Sequence, residues 1–165
     1  MKIQARTKTL VISSMLAALI FVITFLVAIP VPKTSAYVNI GDSVIYCAGM
    51  LVGAPWAAAA AGIGSMLADW AVGVPIYMPA TLIIKGLMGF VCAKLIQKGG
   101  LPRFVLSCVL GGAIMAAGYA AYEWALNGWA YMIAAIVGNL IQWAAGVAGA
   151  AALFYPVKRI RSLIS

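Results

Sequence analysis

An all-α, polytopic membrane protein of six transmembrane helices is the fold class this chain predicts, and three observations predict it. Of the 165 residues 65% are hydrophobic and only 8% are charged, against about 25% charged in a soluble domain. The apolar residues fall into runs broken by Gly, Pro and Asn, and at about 20 residues per span the length accommodates six helices and little else. The basic residues flank those runs at alternate ends, which is a topology signal rather than a nucleic-acid-binding patch. The reading is a single transmembrane domain over 1–165, with no room for a soluble catalytic domain.

Each element has a physical boundary. The first helix covers about 9–29 and is stopped by Pro30 and Pro32, which cannot continue it. Lys2, Arg6 and Lys8 before an apolar run resemble a signal peptide, but the run spans a full bilayer and no small-residue cleavage site precedes Pro30. It is therefore read as a retained helix. The second helix, about 41–54, is short for a span and is expected to be tilted or sheltered by protein. Gly53, Ala54 and Pro55 make a tight turn into the third, about 56–72. Gly73, Pro75 and Pro79 bracket the loop before the fourth, about 79–97. Gly99, Gly100 and Pro102 precede the fifth, about 102–125, and Asn127-Gly128 separates it from the sixth, about 129–156. The sixth is long enough to project beyond the bilayer at its C-terminal end.

Six helices place three basic groups on one side: Lys2, Arg6 and Lys8; Lys94, Lys98 and Arg103; Lys158, Arg159 and Arg161. That is nine of the eleven basic residues, so both termini are read as cytoplasmic. Five or seven helices would split the groups between the two sides. The exceptions are Lys33, in the first outer loop, and Lys85, inside the fourth helix.

The three acidic residues, Asp42, Asp69 and Glu123, all fall at outer helix ends. A charge at mid-bilayer costs about 2.5–3.5 kcal/mol on insertion scales, so such residues usually serve a function. Asp42, after Asn39-Ile40-Gly41, is suited to cap the second helix. Asp69 ends the third helix, where the dipole disfavours an anion, and Lys85 is the partner expected for it, in a structural pair or one that also touches ligand. Glu123 has no basic partner but Lys33, and interfacial exposure is the plain account of it. Tyr37, Trp70, Tyr77, Tyr119, Tyr122, Trp124, Trp129 and Tyr131 crowd the same outer layer, while the inner layer holds chiefly Trp56, Phe104, Phe154 and Tyr155. An interfacial belt explains several of these, and a pocket for a flat ring would add to the asymmetry. Tyr119 and Glu123 share a helix face. Asn139 and Gln142, three apart at membrane depth, should face the bundle and bond either another helix or a ligand. The candidate substrate-binding residues are thus Tyr37, Asn39, Asp42, Asp69, Tyr77, Lys85, Tyr119, Glu123, Asn139 and Gln142.

Small residues mark close packing. Ala57, Ala61, Ser65 and Asp69 recur every four residues, with Gly62 beside them, and read as an intramolecular ridge. Ser13/Ala17 and Ser14/Ala18 form a second ridge near the cytoplasmic side of the first helix, where a partner protein can dock. Cys47, Cys92 and Cys108 have no metal-type spacing and read as buried free thiols. The chain has no His, no zinc motif and no phosphate-binding Gly-Lys-Ser/Thr loop. No cofactor, metal or nucleic acid is expected, and no energy source of its own.

Three segments in order are the most specific feature: Asn39-Ile40-Gly41-Asp42; Gly62-Ile63-Gly64-Ser65-Met66-Leu67-Ala68-Asp69; and Pro75-Ile76-Tyr77-Met78-Pro79-Ala80-Thr81-Leu82-Ile83-Ile84-Lys85-Gly86. Together they resemble the substrate-binding S components of energy-coupling-factor (ECF) transporters, in the riboflavin-type branch that also holds vitamin B6 and thiamine-precursor binders. The resemblance implies a membrane subunit that binds a vitamin at its outer end with loops 1 and 3 and helices 4–6. It implies partners: a transmembrane coupling protein and two cytosolic ATPases, in a bacterial or archaeal cytoplasmic membrane. It also implies toppling in the bilayer to release cargo inside. The family's small-residue docking face on the first helix corresponds here to Ser14 and Ala18.

The function expected is vitamin capture for an ATP-driven importer, not catalysis. The alternatives are a small intramembrane enzyme using Asp42, Asp69 or Lys85, or a non-catalytic assembly subunit. The near-neutral outer layer suits a small, flat, uncharged or weakly cationic heterocycle. A pyridoxine-like molecule, a thiamine pyrimidine precursor and riboflavin all fit that description.

Overall fold

The computed structural model describes residues 2–30, 37–96 and 99–164. Six α-helices carry them: α1 (Lys2–Leu26), α2 (Asp42–Leu51), α3 (Ala54–Ala71), α4 (Met78–Ile96), α5 (Leu101–Asn127) and α6 (Trp129–Ile164). Four stretches are long and apolar enough to cross a bilayer, Arg6–Leu26, Pro75–Ile96, Leu101–Asn127 and Trp129–Ile164. Large apolar side chains point outward along them, Ile83, Ile141 and Leu163 among them, where a membrane covers what water would not.

Helix ends depart from the sequence reading at identifiable places. α1 stops at Leu26 rather than near residue 29, because Pro30 biases the residue before it toward extended backbone. Ile29–Pro30 instead forms a short strand, β1, antiparallel to β2 (Tyr37–Val38), with Ile29 opposite Val38. α3 begins at Ala54, capped by Gly53 and with Pro55 in its first turn, where a missing N–H costs nothing. α6 continues to Ile164 through Pro156. At 1.5 Å per residue its 36 residues span about 54 Å, well beyond the hydrocarbon thickness.

α2 is the centre of the bundle. It packs against α6, α4, α3 and α1, and every residue from Asp42 to Met50 is buried. Ten residues reach only about 15 Å, so shelter by protein rather than tilt accounts for a helix too short to span. Small residues admit it. A Cβ on Gly49 would lie 2.9 Å from the Ala93 backbone, and one on Gly149 would lie 2.4 Å from Ser43 Oγ. The ridge on α3 packs within the chain, as its spacing predicts: a Cβ on Gly89 of α4 would meet the Ala57 carbonyl at 2.8 Å. Below the polar layer, Tyr46, Phe104, Phe154 and Met88 fill the core. The three cysteines are free and buried there.

Two glycines turn the chain with left-handed backbone, Gly73 after α3 and Gly128 between α5 and α6, each with φ +85°. The first leads into a single 3-10 turn, Pro75–Tyr77, that starts α4. Together with β2, these turns set the polar residues of four helices at one end of the bundle.

Candidate functional site

The site begins with Gly41. A Cβ there would lie 2.1 Å from Thr24 Oγ1, so only glycine lets the chain press against α1 before α2 starts. Asn39 is fixed two residues earlier. Its side-chain oxygen accepts from the Gly41 N–H at 2.9 Å. Its own backbone N–H donates to Gln142 Oε1 at 3.0 Å, and its side-chain amide adds a longer bond to the same oxygen at 3.3 Å. Gln142 in turn donates to Asp42 Oδ2 at 2.8 Å, while Lys85 donates to Asp42 Oδ1 in a buried ion pair. α2, α4 and α6 are thus tied through one carboxylate.

This corrects two expectations. Asp42 does not cap α2: the N-cap is Gly41, without a side-chain cap bond, and Asp42 is the first helical residue. Lys85 does not pair with Asp69. Lys85 reaches across to α2, whose first turn lies between α4 and α6, and Asp69 takes another partner. The Tyr37 phenol donates to Asp69 Oδ1 at 2.6 Å. Tyr37 lies in β2, outside the helices, and burial, followed by the charge of Asp69, raises its pKa well above the usual phenol range. The phenol therefore stays protonated as a donor.

Glu123 is also corrected. It is 1% exposed rather than interfacial. Tyr77 donates to its Oε1, and Asn127, one turn later on α5, donates to Oε2 at 2.8 Å. Lys33, its expected partner, lies outside the described residues. Tyr77 is held in turn by its tilted neighbour Tyr122, 5.7 Å between ring centres, whose hydroxyl donates to the Ile76 carbonyl.

These residues surround a small cavity of about 30 Å³, room for a water molecule but not for a ring. Nine of the ten sequence candidates line it: Tyr37, Asn39, Asp69, Tyr77, Lys85, Tyr119, Glu123, Asn139 and Gln142. Asp42 stands behind Lys85 and Gln142 rather than on the wall. Thr81 and Ala135 complete the lining. Thr81 shares a 2.8 Å hydrogen bond with the Tyr119 hydroxyl, and Lys85 Nζ lies 5.7 Å from the Tyr119 ring centre. Thr81 is not among the residues the sequence singles out; the signal for it is its place four residues before Lys85, which puts both on one helix face. Asn127, part of the Asn-Gly break in sequence, follows Glu123 at the same spacing.

The aromatic layer divides cleanly. Tyr37, Tyr77 and Tyr119 face the cavity. Trp70, Trp124 and Trp129 are about two-thirds exposed and form the interfacial belt. Ser14 and Ala18 are exposed on α1. They line an apolar cleft of about 420 Å³ against Trp56 and Ile63 of α3, far from the polar cavity. At the end opposite β2, Lys8 of α1 donates to the Ile164 carbonyl of α6, so the start of the first helix and the end of the last lie at the same end of the bundle.

Comparison with known proteins places this architecture. Residues 4–159 match the family described as ECF-type riboflavin transporter, S component. A relative from Pyrococcus woesei, described as an uncharacterized protein in the gap 3′ region, is 34% identical over 140 residues, 84% of this chain and 93% of the relative. The crystal structure of the S-component for biotin from an ECF-type ABC transporter superposes with a TM-score of 0.69 at 20% identity, covering 96% of this chain and 93% of that one. At that identity the superposition speaks for the fold, and the match along nearly the whole chain speaks for the family. The chain belongs to the ECF-type riboflavin transporter S component family and is a substrate-binding transport subunit, not an enzyme.

Proposed function

We propose that the chain captures a small, flat, water-soluble vitamin or vitamin precursor in the cavity beneath β2, on the outer side of a bacterial or archaeal cytoplasmic membrane. In this reading residues 1–165 are one transmembrane domain of six membrane helices, the short α2 crossing the bundle's interior inside protein rather than lipid, with both termini in the cytoplasm. The cargo passes inward after the subunit docks, through Ser14 and Ala18, on a membrane coupling protein driven by two cytosolic ATPases.

The observation that carries this reading is the cavity itself. Polar side chains from β2 and from α3, α4, α5 and α6 converge there, and three tyrosine rings stand in its wall. Polar groups in an apolar bundle are expensive, and a ring-binding site is the function that uses rings and polar groups together. Riboflavin, named for the family, and biotin, named for the structural neighbour, are both water-soluble vitamins. The cavity is smaller than any such ring, so loading widens it; the Tyr37–Asp69 and Asn39–Gln142 hydrogen bonds join residues of its wall and are the contacts we propose give way.

Sidedness has independent support. Lys8 and Ile164 meet at one end, as both termini on one side require, and the basic clusters mark that end as cytoplasmic. Two measurements test the proposal. Purified protein should bind a B-vitamin or precursor, and it should co-purify with an ECF coupling module. Failure of both would sink the proposal. Labelling that found the chain termini on opposite faces of the bilayer would overturn the orientation.

A further inference from the structure

The cavity is electrostatically unfinished. Among the described residues its lining carries one cation, Lys85, and two carboxylates, Asp69 and Glu123. Lys85 is already matched by Asp42 behind it. Among the described residues no cation forms an ion pair with Asp69 or Glu123: the hydroxyls of Tyr37 and Thr81 serve Asp69, with the charge of Lys85 acting on it from a distance, and the Tyr77 hydroxyl and the Asn127 amide serve Glu123. Asp69 is 3% exposed, and among the described residues its Oδ2 is left without a hydrogen bond of good geometry. The amide nitrogen of Asn139, in the same wall, is also buried without a partner. Buried polar atoms are almost always satisfied, and a buried carboxylate without a cation is more costly still. Both residues stand in the wall of one cavity.

We infer that the cargo itself supplies the missing charge: a nitrogen heterocycle or ring-bearing amine that is cationic at neutral pH. It places an N–H donor on Asp69 Oδ2 and a ring acceptor or hydroxyl on the Asn139 amide. The tyrosine walls suit such a ligand, because the face of an aromatic ring attracts a cation. Thr81, bonded to Tyr119, holds one of those rings in place. An uncharged ring of the same shape would leave Asp69 and Glu123 uncompensated on closure. It should therefore bind at least about tenfold more weakly. The inference rests on the capture function proposed above and narrows it to one charge class.

The test is titration of the purified full chain in detergent at neutral pH with four probes. Pyridoxamine and pyridoxine share a ring and differ in one amine; thiamine carries a fixed positive charge; riboflavin is uncharged. A cationic probe should bind at least about tenfold more tightly than both uncharged ones. Asp69→Asn should erase that preference. If Asp69→Asn does not fold, as judged by size-exclusion chromatography, Glu123→Gln removes the other uncompensated charge and is read in the same way. Tightest binding by riboflavin or pyridoxine, or a cation preference unchanged in a folded variant, would overturn the inference and leave the capture function standing. A protein that binds none of the four yet co-purifies with a coupling module overturns the inference alone. One that does neither overturns the capture function as well.

Discussion

Two carboxylates one layer apart in this bundle have opposite surroundings. Asp42 is saturated: Lys85 bonds one oxygen and Gln142 the other, and Gln142 is itself held by Asn39. Among the described residues Asp69 is half-served, with Tyr37 on one oxygen and the other, Oδ2, left without a hydrogen bond of good geometry. Both are buried to a similar degree, so burial does not separate them. Partners do. A group whose bonds are all taken by neighbouring helices is scaffold, while one in a cavity wall with bonding capacity left over is a candidate site. Asp42 ties α2, α4 and α6 together; Asp69 is the residue proposed to meet cargo.

The comparison is broken most severely at Lys85. Lys85→Met leaves Asp42 buried beside an apolar chain, and thermal unfolding in detergent should report a loss of about 3–5 kcal/mol. Adding Asp42→Asn should restore most of it, because the orphaned charge rather than the missing pair is the main penalty. Asp69→Asn should have far less effect on the same measurement, since its uncompensated oxygen contributes nothing to the fold. Equal losses at the two sites would end the distinction between scaffold and site.

Next in size is Gly41. Gly41→Ala drives a methyl into Thr24 and should cost about 1–3 kcal/mol by the same unfolding measurement, as overpacking does. Thr24→Ala in the same chain should relieve part of it. Tyr37→Phe is smaller, about 0.5–1.5 kcal/mol for one hydrogen bond. Because that bond joins two residues of the cavity wall, its clearer readout is faster release of bound vitamin in stopped-flow. At the other end of the molecule, Ala18→Trp should leave vitamin binding unchanged and abolish co-purification with the coupling module. Smallest is Trp124→Leu on the exposed belt, within about 0.5 kcal/mol.

The two regions also differ in how far they can be read without coordinates. The layer is legible. Asp42, Asp69, Lys85 and Glu123 stand at predictable depths because their positions along each helix follow from where Pro30, Gly53, Gly73 and Gly128 interrupt the apolar runs. Nine of the ten proposed residues meet at one cavity for that reason. Partner choice within the layer is not legible. Pairing Lys85 with Asp69 was reasonable for adjacent helices, yet α2 inserts between α4 and α6 and presents Asp42 instead. Glu123 looked unpartnered because its donors, a tyrosine in the 3-10 turn and an asparagine at the helix end, are neutral and fall in segments read as turns.

The sequence by itself determined that this is a helical membrane protein of a substrate-binding transporter family, and that its acids and rings share one layer. Hydropathy and charge vary along the helix axis, and an axial coordinate can be counted residue by residue. Only the tertiary structure decided which carboxylate Lys85 neutralises, that Asp42 stands behind the cavity, and that Asp69 Oδ2 is left without a hydrogen bond of good geometry among the described residues. Those facts depend on how each helix is rotated and which helix it touches. A central ten-residue helix surrounded by protein sets both through side-chain packing that no single run of residues contains.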